Sequence, residues 1–391
     1  MQKKKIIISV TNDLSTDQRV KKVCGTLNAM NYDILLIGRK RHTSLKLKRP
    51  YQTKRMRLVF NKGALFYAEF NIRLFILLVF SKVDIYHAND LDTLLANYLA
   101  AIIRRKPIVY DSHEYFTGVP EIQNKKLVKK VWQTIEQFIF PKLKHIITVN
   151  QSIAQLFKDE YNKDLRILRN VPNKVETLKL KSKSELNIAE DKDIIITQGA
   201  GININRGIEE LVEAMQYLNN VCLIIIGDGD VIPQLKKRVL ELKLENSIIF
   251  KGRMPYHEMM QYTQHAKLGI TIDKDTNTNY KYSLPNKLFD FIHAGIPILA
   301  SKIIEVEKII KNYQIGLFIN NHEPTHIANQ IKYALDNKEL MSEWKSNTHH
   351  ASKELNWEIE ENTLKDLYKK LKNKALHIVA LNIPYPANYG V

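Results

Sequence analysis

Short apolar runs alternate with amphipathic stretches along the first half of the chain. Runs such as Lys5–Val10 and Val83–Asp90 have the length and apolar content of buried strands. Apolar residues at helical spacing follow them. The predicted helices are Thr16–Asn31, Ala64–Ser81, Leu91–Arg105, Lys125–Leu143 and Ser152–Tyr161. This alternation of strand and helix predicts a parallel, doubly wound sheet.

A second series of the same kind follows a charged stretch with few aromatic residues, 174–193. Its helices are predicted at Gly207–Leu218, Ile232–Lys243 and Tyr256–Ala266. At 391 residues the chain is long for a single hydrophobic core. We therefore predict an α/β protein of two tandem Rossmann-like, doubly wound domains that face a cleft. Ligands are expected in that cleft, at the carboxyl ends of the strands.

The two series also predict the domain boundaries. These are an amino-terminal domain (1–172), a linker (173–193), a carboxyl-terminal domain (194–355), a helix that packs back across the junction (356–374) and a tail (375–391). The tail has the pattern of the first strand and loop of a further Rossmann-type domain. A cut or fused second enzyme and a plain extension both fit this pattern.

The positive charge lies almost entirely in the first half. Residues 1–170 hold 31 Lys and Arg against 14 Asp and Glu, a net +17, whereas the remainder holds 28 against 27. Arg39–Arg57 alone has nine basic residues and no acid. Such a surface suits nucleic acid, an anionic membrane leaflet or a phosphorylated substrate. No helix-turn-helix, zinc-knuckle or RNP-type pattern is present, so we favour a membrane surface that carries an anionic lipid-linked acceptor.

The cysteines and the apolar runs indicate a compartment. Cys24 and Cys222 lie far apart in apolar surroundings and are predicted to be buried thiols, as in a reducing cytosol. The amino-terminal apolar run has only strand length and does not match a signal peptide. The longest apolar run, Leu74–Phe80, is too short to cross a bilayer. The sequence therefore predicts a cytoplasmic protein, peripheral at the inner face of the membrane, with no integral membrane segment.

Residues 282–301 (YSLPNKLFDFIHAGIPILAS) combine a turn, a helix and a buried strand. Ser283 is expected to cap the helix, so that the amides near Asn286 and Lys287 point outward as an anion site. Lys287 and Asp290 are three residues apart and share the side of the helix opposite its apolar face. The alternative is an ordinary surface Lys and Asp on a connecting helix.

Several common site motifs are absent. The loop Thr11–Thr16 lies where dinucleotide-binding proteins carry G-x-G-x-x-G, and it contains no glycine. The phosphate-binding loop of nucleotide triphosphatases is missing as well. The D-x-D pairs Asp90/Asp92, Asp228/Asp230 and Asp273/Asp275 are interpreted as strand-end loops or helix caps. We therefore predict no metal and no cofactor.

One histidine lies at a position that favours function. His113 follows the strand-like run PIVYDS, at the edge of the sheet where ligands bind in doubly wound folds. His87, at the end of VDIYH, is the weaker candidate. The alternative for both is a structural histidine.

Over roughly Lys5–Leu371 the chain resembles the family 4 glycosyltransferases of the GT-B fold. HAGIPILAS matches the family's A-x-G-x-P-(V/I)-(V/I)-A-S, and Pro285–Asp290 (PNKLFD) is similar to a variant of the preceding E-x7-E region. The second acid of that region, which holds the donor ribose in the family, falls on Asp290. The first falls on Tyr282, so one carboxylate is missing.

The segment QGAGININRGIEELVEA resembles the family's G-R-x5-K-G-x3-L-x2-A, with Arg206 in the lysine place and Ala200 in the arginine place. The resemblance implies that Arg206 and Lys287 bind the diphosphate and that His113 contacts the donor sugar. The other implied donor-binding residues are Ser283, Asn286, Asp290, Gly201, Gly227, Arg253 and Met254. A D-x-R-V pattern assigns Asp17 and Arg19 to the acceptor side, together with His87.

The resemblance implies a retaining, metal-independent transfer of a sugar from a nucleotide-diphosphate donor to a hydroxyl. The expected acceptor is lipid-linked or a polysaccharide precursor, as in lipopolysaccharide and other surface-glycan synthesis. Two alternatives remain: a GT-B sugar-nucleotide enzyme such as a 2-epimerase, and a non-catalytic GT-B scaffold.

Overall fold

The computed structural model describes residues 3–42, 44–123, 125–174 and 180–380. Its first sheet has seven strands in the order β3-β2-β1-β4-β5-β6-β7, and every pair is parallel. The strands are β1 (Lys5–Asp13), β2 (Asp33–Arg39), β3 (Gln52–Met56), β4 (Ile85–Asn89), β5 (Ile108–Ser112), β6 (Ile146–Thr148) and β7 (Arg166–Ile167). The strand order reverses between β1 and β4, which creates a crevice at their carboxyl ends.

Helices cover both faces of this sheet. They are α1 (Gln18–Ala29), α2 (Gly63–Phe80), α3 (Leu91–Arg104), α4 (Pro120–Gln123), α5 (Lys126–Ile139) and α6 (Gln151–Tyr161). The consecutive residues Ile6, Ile7 and Ile8 of β1 are all fully buried. Burial on both faces explains why this strand is a continuous apolar run rather than an alternating one.

The second sheet has six parallel strands in the order β10-β9-β8-β11-β12-β13. They are β8 (Asp193–Gly199), β9 (Val221–Gly227), β10 (Ile248–Lys251), β11 (Leu268–Thr271), β12 (Ile298–Ala300) and β13 (Gly316–Phe318). The accompanying helices are α7 (Ile208–Ala214), α8 (Ile232–Glu241), α9 (Tyr256–Thr263), α10 (Thr278–Lys281), α11 (Asn286–Ala294), α12 (Ile304–Tyr313), α13 (Pro324–Asp336) and α14 (Lys338–Glu354). Here the order reverses between β8 and β11.

The last helix, α15 (Trp357–Ala380), lies against α1 of the first domain. Trp357 is buried, and its indole N–H donates to Thr26 Oγ1 at 3.0 Å. The Tyr368 hydroxyl lies 2.7 Å from His87 Nδ1. Residues 375–380 are the last residues of α15, so the strand expected to begin at Ala375 does not form there, and 381–391 lie outside the described residues.

The prediction of two parallel doubly wound domains is confirmed. The apolar run Leu74–Phe80, however, is the end of a longer helix. Within the described residues, α2 alone has the length and composition of a membrane span, with a mean hydropathy of 1.7 and 22% of its residues buried. The sequence argument missed this because Glu69 and Arg73 divide the apolar stretch, and in the helix these two side chains form an ion pair of 2.7 Å.

Candidate active site

Polar side chains gather at the switch point of each sheet. In the first domain they follow β4 and β5, and in the second they follow β8 and β11. A hydrogen bond joins the two sides, since Asn279 Nδ2 donates to Glu114 Oε2 at 3.0 Å. Glu114 is the neighbour of His113, so this bond fixes the edge of the cleft next to that histidine.

Two cations of the second domain share one buried carboxylate. Arg206 Nη1 lies 2.8 Å from Asp273 Oδ2, and Lys287 Nζ lies 3.4 Å from Asp273 Oδ1. The Arg206 guanidinium also stacks on the ring of Tyr280, 4.1 Å from its centroid. The structure therefore brings together the two residues predicted to bind the diphosphate, and it does so through Asp273.

The charges of this triad depend on one another. Burial lowers the pKa of Lys287, Asp273 opposes that effect, and the nearby Arg206 adds to it. Burial also disfavours the charged Arg206, but Asp273 and Tyr280 together outweigh it and raise the pKa of the guanidinium. Only about a tenth of the Lys287 side chain is exposed. Two cations held this closely, with one anion between them, can bind a further anion of multiple charge.

The amino terminus of α11 faces the same place. No side chain caps this helix, whose N-cap is Pro285, so the N–H groups of Asn286 and Lys287 are available to an anion, whereas that of Leu288 donates to Pro285 O. The predicted cap by Ser283 is wrong, because the Ser283 hydroxyl donates to Tyr280 O at 2.9 Å, before the helix begins. Asn286 lies in the first turn and accepts a hydrogen bond of 3.0 Å from Asn170 of the first domain.

Glycines let the loops of the second domain approach one another. Gly227 has φ +130°, and a Cβ there would lie 1.8 Å from the carbonyl oxygen of Gly199. Gly207, at φ +73°, begins α7 directly after Arg206. A Cβ on Gly207 would meet the Ile272 carbonyl at 2.3 Å, next to Asp273. Gly207 therefore sets the distance between the loop that carries Arg206 and the strand end that carries Asp273.

Asp290 lies in a different environment from Lys287. Its carboxylate is buried and accepts hydrogen bonds from Tyr256 OH at 3.0 Å and from Gln198 Nε2 at 3.1 Å. Burial raises the pKa of Asp290 to about 6, against the opposing effect of these two donors and of the Lys22 charge. Two hydroxyl groups of a ligand could take the place of these donors, because each donor bonds a separate carboxylate oxygen.

His113 lies at the end of β5, in a cage of acids and amides. Its Nδ1 is 3.0 Å from Asp90 Oδ2, and its Nε2 is 3.2 Å from Asn89 Oδ1 and 3.5 Å from Asp111 Oδ2. Burial would lower the pKa of His113, but Asp90 and Asp111 outweigh it and raise the pKa to about 10. The imidazole is therefore a cation at neutral pH and cannot act as a general base. Contact of a ring nitrogen with a sugar would require one of these bonds to exchange.

Two residues assigned to the acceptor side are buried, and their role there remains a prediction. Arg19 is 3% exposed and makes a bidentate ion pair with Asp111, with distances of 2.6 and 3.1 Å. His87 is fully buried against Tyr368 of α15. Asp17 is the N-cap of α1, where its side chain accepts from the Val20 N–H at 2.9 Å. Arg19 and His87 therefore have structural contacts instead of an open face toward an acceptor, whereas Asp17 is partly exposed.

The remaining predicted donor residues lie around the rim. Arg253 Nε is 3.4 Å from Asp228 Oδ2, and both side chains are exposed. Met254 is half-buried against the main core, and Gly201 lies exposed in the loop after β8. None of these contacts tests whether the residues bind a donor, so that role remains a prediction.

Three of the D-x-D aspartates bond protein groups at the switch points. Asp90 bonds His113, and Asp273 bonds Arg206 and Lys287. Asp92 bonds the Thr11 hydroxyl, and burial followed by the charge of Asp90 raises its pKa to about 8. No cluster of three metal-ligating side chains occurs among the described residues. Independence from metal remains a prediction.

Sequence reasoning missed Asp273, Asn89 and Tyr256. Asp273 was visible, because it ends a strand-like run and recurs in a D-x-D pair, but its role depends on the position of Arg206, 67 residues earlier. Nothing in the sequence links Tyr256 to Asp290. Asp90 has φ +57°, a left-handed backbone conformation that is unusual outside glycine and that no sequence pattern indicated.

Family comparisons agree with this geometry. The family described as "Glycosyltransferase Family 4" matches residues 18–177, and "Glycosyl transferases group 1" matches residues 179–351. The chain belongs to the family 4 glycosyltransferases. The resemblance seen in the sequence is thereby confirmed. No curated protein sequence matches the chain.

Solved structures of the GT-B fold superpose on nearly the whole family 4 chain. Sucrose-phosphate synthase from Thermosynechococcus elongatus gives a TM-score of 0.77 at 16% identity, covering 95% of this chain and 100% of its own. Anabaena HepE in complex with UDP-glucose gives 0.70 at 16% identity, covering 93% and 99%. A proposed UDP-N-acetylglucosamine 2-epimerase from Listeria monocytogenes gives 0.64 at 13% identity, covering all of both chains. At these identities the likeness shows the fold, and that fold serves more than one reaction.

Replacing Asp273 tests whether it balances two cations. We expect Asp273→Asn to lower the free energy of unfolding by about 3–5 kcal/mol, because Arg206 and Lys287 lose their shared partner. Inorganic pyrophosphate should then raise the melting temperature of the variant more than that of the wild type, since it supplies the missing charge. The exposed Asp275→Asn is the matched control. Equal pyrophosphate shifts in all three proteins would contradict this assignment.

Proposed function

We propose that this glycosyltransferase moves a sugar from a nucleotide-diphosphate donor to a hydroxyl of a lipid-linked or polysaccharide-precursor acceptor, with retention at the anomeric carbon. The observation that carries the proposal is the Arg206–Asp273–Lys287 triad at the uncapped start of α11. A diphosphate is a multiply charged anion, and it matches two cations and a row of backbone N–H groups.

The chemistry needs stabilisation of a leaving group. As the bond between the anomeric carbon and the phosphate oxygen breaks, negative charge grows on the diphosphate. Arg206, Lys287 and the first-turn amides of α11 would stabilise that charge in a partly water-excluded site. Arg206 suits this role because its planar fork pairs with two phosphate oxygens at once. The triad provides the charge without a metal.

The acceptor proton needs a destination. The acceptor oxygen forms the new bond to the anomeric carbon, and its proton passes to the oxygen of the departing diphosphate. His113 cannot take the proton, because its pKa of about 10 keeps it protonated. The imidazolium instead stays fixed between Asp90 and Asp111, on the side of the cleft opposite the triad. In a single displacement, retention requires attack from the face that the leaving group occupies, which agrees with a proton transfer to the leaving group.

The donor nucleoside would use the other half of α11. Asp290 accepts two hydrogen bonds, as a carboxylate that holds the two ribose hydroxyls would. HepE is solved with UDP-glucose, and this supports a uridine nucleotide as the first donor to test. The alternative 2-epimerase reaction can be recognised in the same assay, because an epimerase consumes the sugar nucleotide without an acceptor.

The deciding experiment is a screen of sugar nucleotides with a membrane lipid extract, read by mass spectrometry. We expect one donor to give a glycolipid or a glycosylated precursor, in which the new linkage keeps the anomeric configuration of the donor by NMR. Conversion of a donor to its epimer without acceptor would establish the alternative. Binding of nucleotides with no turnover of any donor would identify a scaffold.

The two cations should be needed for turnover. We expect Arg206→Ala and Lys287→Ala each to lower kcat by roughly two orders of magnitude, the loss typical of one transition-state donor. Lys302→Ala changes an exposed basic residue of the same domain and should retain the wild-type rate. Wild-type turnover in both cation variants would exclude this site.

Donor affinity should depend on the ionisation of Asp290. Its pKa of about 6 predicts that UDP affinity falls about tenfold between pH 7 and pH 5, since only the carboxylate accepts from both ribose hydroxyls. The phosphate of UDP titrates in the same range. Asp290→Asn lacks the titrating carboxylate, so it isolates the contribution of the UDP phosphate. By calorimetry, this variant should bind UDP more weakly, and its affinity should depend less on pH.

Destabilisation of the fold by protonation of Asp290 cannot cause this loss of UDP affinity. The pKa of Asp290 in the folded protein lies above its ordinary value, so its protonation at pH 5 stabilises the folded state. Parallel pH profiles for the wild type and Asp290→Asn would show that Asp290 does not hold the nucleoside.

A further inference from the structure

The first domain exposes large apolar side chains on three adjacent helices. On α2 they form a stripe of Leu65, Ile72, Ile76 and Phe80, exposed by 59, 61, 51 and 84%. Leu99, Ile102 and Ile103 are exposed on α3, and Leu127, Val131 and Phe138 on α5. Scattered exposed apolar residues are ordinary, but a set of ten on neighbouring helices marks an interaction surface.

These three helices belong to one layer. The connections β3→α2→β4, β4→α3→β5 and β5→α5→β6 all cross the sheet in the same direction, and right-handed crossovers place such helices on one face. α2 packs against α3, and α3 packs against α5. The side of this layer that faces away from the sheet is therefore one continuous surface, which we name the apolar face of the first domain.

The inner side of α2 is committed to the fold. Phe66, Phe70, Leu74 and Leu78 recur at helical spacing and are buried in the cluster that contains Ile7, Ile37 and Tyr86 of the sheet. A transmembrane position for α2 would remove all four from this core. The helix is apolar on both sides because one side packs on the sheet and the other requires a partner. This geometry suits a helix that lies along an apolar boundary rather than across it.

The rim of the apolar face is strongly basic. Exposed basic residues lie in or beside its helices: Arg57, Lys62, Arg73, Lys82, Arg104, Arg105, Lys125, Lys126, Lys130, Lys142 and Lys144. Lys142 Nζ lies 3.2 Å from the ring centroid of Phe138, so a basic head group and an apolar ring share the edge. Long basic side chains can extend past apolar neighbours toward anionic head groups.

Acidic residues do not offset this charge. α2, α3 and α5 contain the acids Glu69, Asp92 and Glu136. Asp92 and Glu136 are buried, and Glu69 is paired with Arg73 and accepts from the N–H groups of Val59 and Phe60. The accessible charge on the three helices is therefore positive. A protein partner with an apolar patch would not require that bias, whereas an anionic bilayer does.

We propose that the apolar face of the first domain inserts into the interfacial region of an anionic membrane. Leu65, Ile72, Ile76 and Phe80 would enter the boundary between head groups and acyl chains, and the basic rim would bind the anionic head groups. Since the helices run antiparallel to the strands, the amino-terminal ends of α2 and α3 lie at the sheet edge that carries His113. The cleft edge thus meets the membrane surface, where a lipid-linked acceptor would be found. This placement deepens the proposed function by giving the acceptor's location.

Vesicle flotation of the full-length protein tests the proposal without donor or acceptor. We expect binding to vesicles that contain anionic lipid, weaker binding to neutral vesicles, and a loss of binding as salt is raised. The variant I72S/I76S/F80S should lower the partition coefficient by about tenfold or more. Lys126→Glu with Lys130→Glu should weaken binding to anionic vesicles and leave the small neutral-vesicle binding unchanged.

Matched controls separate this surface from general stickiness. Leu240→Ser with Tyr333→Ser removes two apolar residues of the second domain that are 61 and 55% exposed, and it should bind vesicles like the wild type. Circular dichroism and melting temperature show that each variant is folded. Arg206→Ala should retain full vesicle binding, so failure of the proposed catalysis and failure of this proposal are distinguishable.

Three results would overturn the proposal. The first is wild-type binding that does not distinguish anionic from neutral vesicles. The second is unchanged binding in I72S/I76S/F80S. The third is a wild-type protein that does not bind vesicles and forms a stable dimer in solution by light scattering, together with a triple variant that is monomeric. The apolar face would then be a contact between two copies.

Discussion

The sharing of one buried carboxylate by two cations is the constraint on which the site depends. Arg206 follows the first strand of the second domain, and Lys287 lies in the first turn of α11, so their side chains repel each other unless an anion lies between them. Asp273 supplies that anion at the end of β11. Gly207 keeps the two backbones close enough for this contact. A bound diphosphate would meet positive charge that is already in place and already separated from bulk water.

In the first domain the charges at the cleft have the opposite balance. There, buried acids outnumber cations, and His113 and Arg19 are the positive partners of Asp90 and Asp111. Burial alone would raise the pKa of Asp111, but Arg19 and His113 outweigh it and hold that pKa well below its ordinary value, so the buried carboxyl is ionised. The chain therefore presents a fixed imidazolium on one side of the cleft and a cation pair on the other. The cation pair, with one acid between two cations, is the net positive side, as a site for a diphosphate requires.

The fold could be predicted from local patterns, since continuous apolar runs give buried parallel strands. The cation pair could be predicted because the sequence resembles a known family, whose pattern puts Arg206 in the place of a lysine. Contacts between distant segments could not be predicted in this way. Arg19 matched a motif and still proved to be an internal ion-pair partner of Asp111, 92 residues away. His87, like His113, comes at the end of an apolar run in the sequence, but in the fold its neighbour is Tyr368 from the last helix. The length of the apolar stretch in α2 was underestimated for a related reason, since the charges of Glu69 and Arg73 neutralise each other only once the helix forms.

Tyr282 shows how the loss of one acid can serve the junction between domains. It takes the place where most family members carry a carboxylate near the transferred sugar. Here its side chain packs against the aromatic cluster of the first domain, and its carbonyl accepts from Asn150 Nδ2 at 2.8 Å. A carboxylate at this position would be drawn into an apolar cluster and would be costly to bury. In this chain the position therefore makes an interdomain contact. Together with Asn279–Glu114 and Asn170–Asn286, it links the loop around α10 and α11 to the first domain, so that the anion site and the histidine cage are held across one cleft.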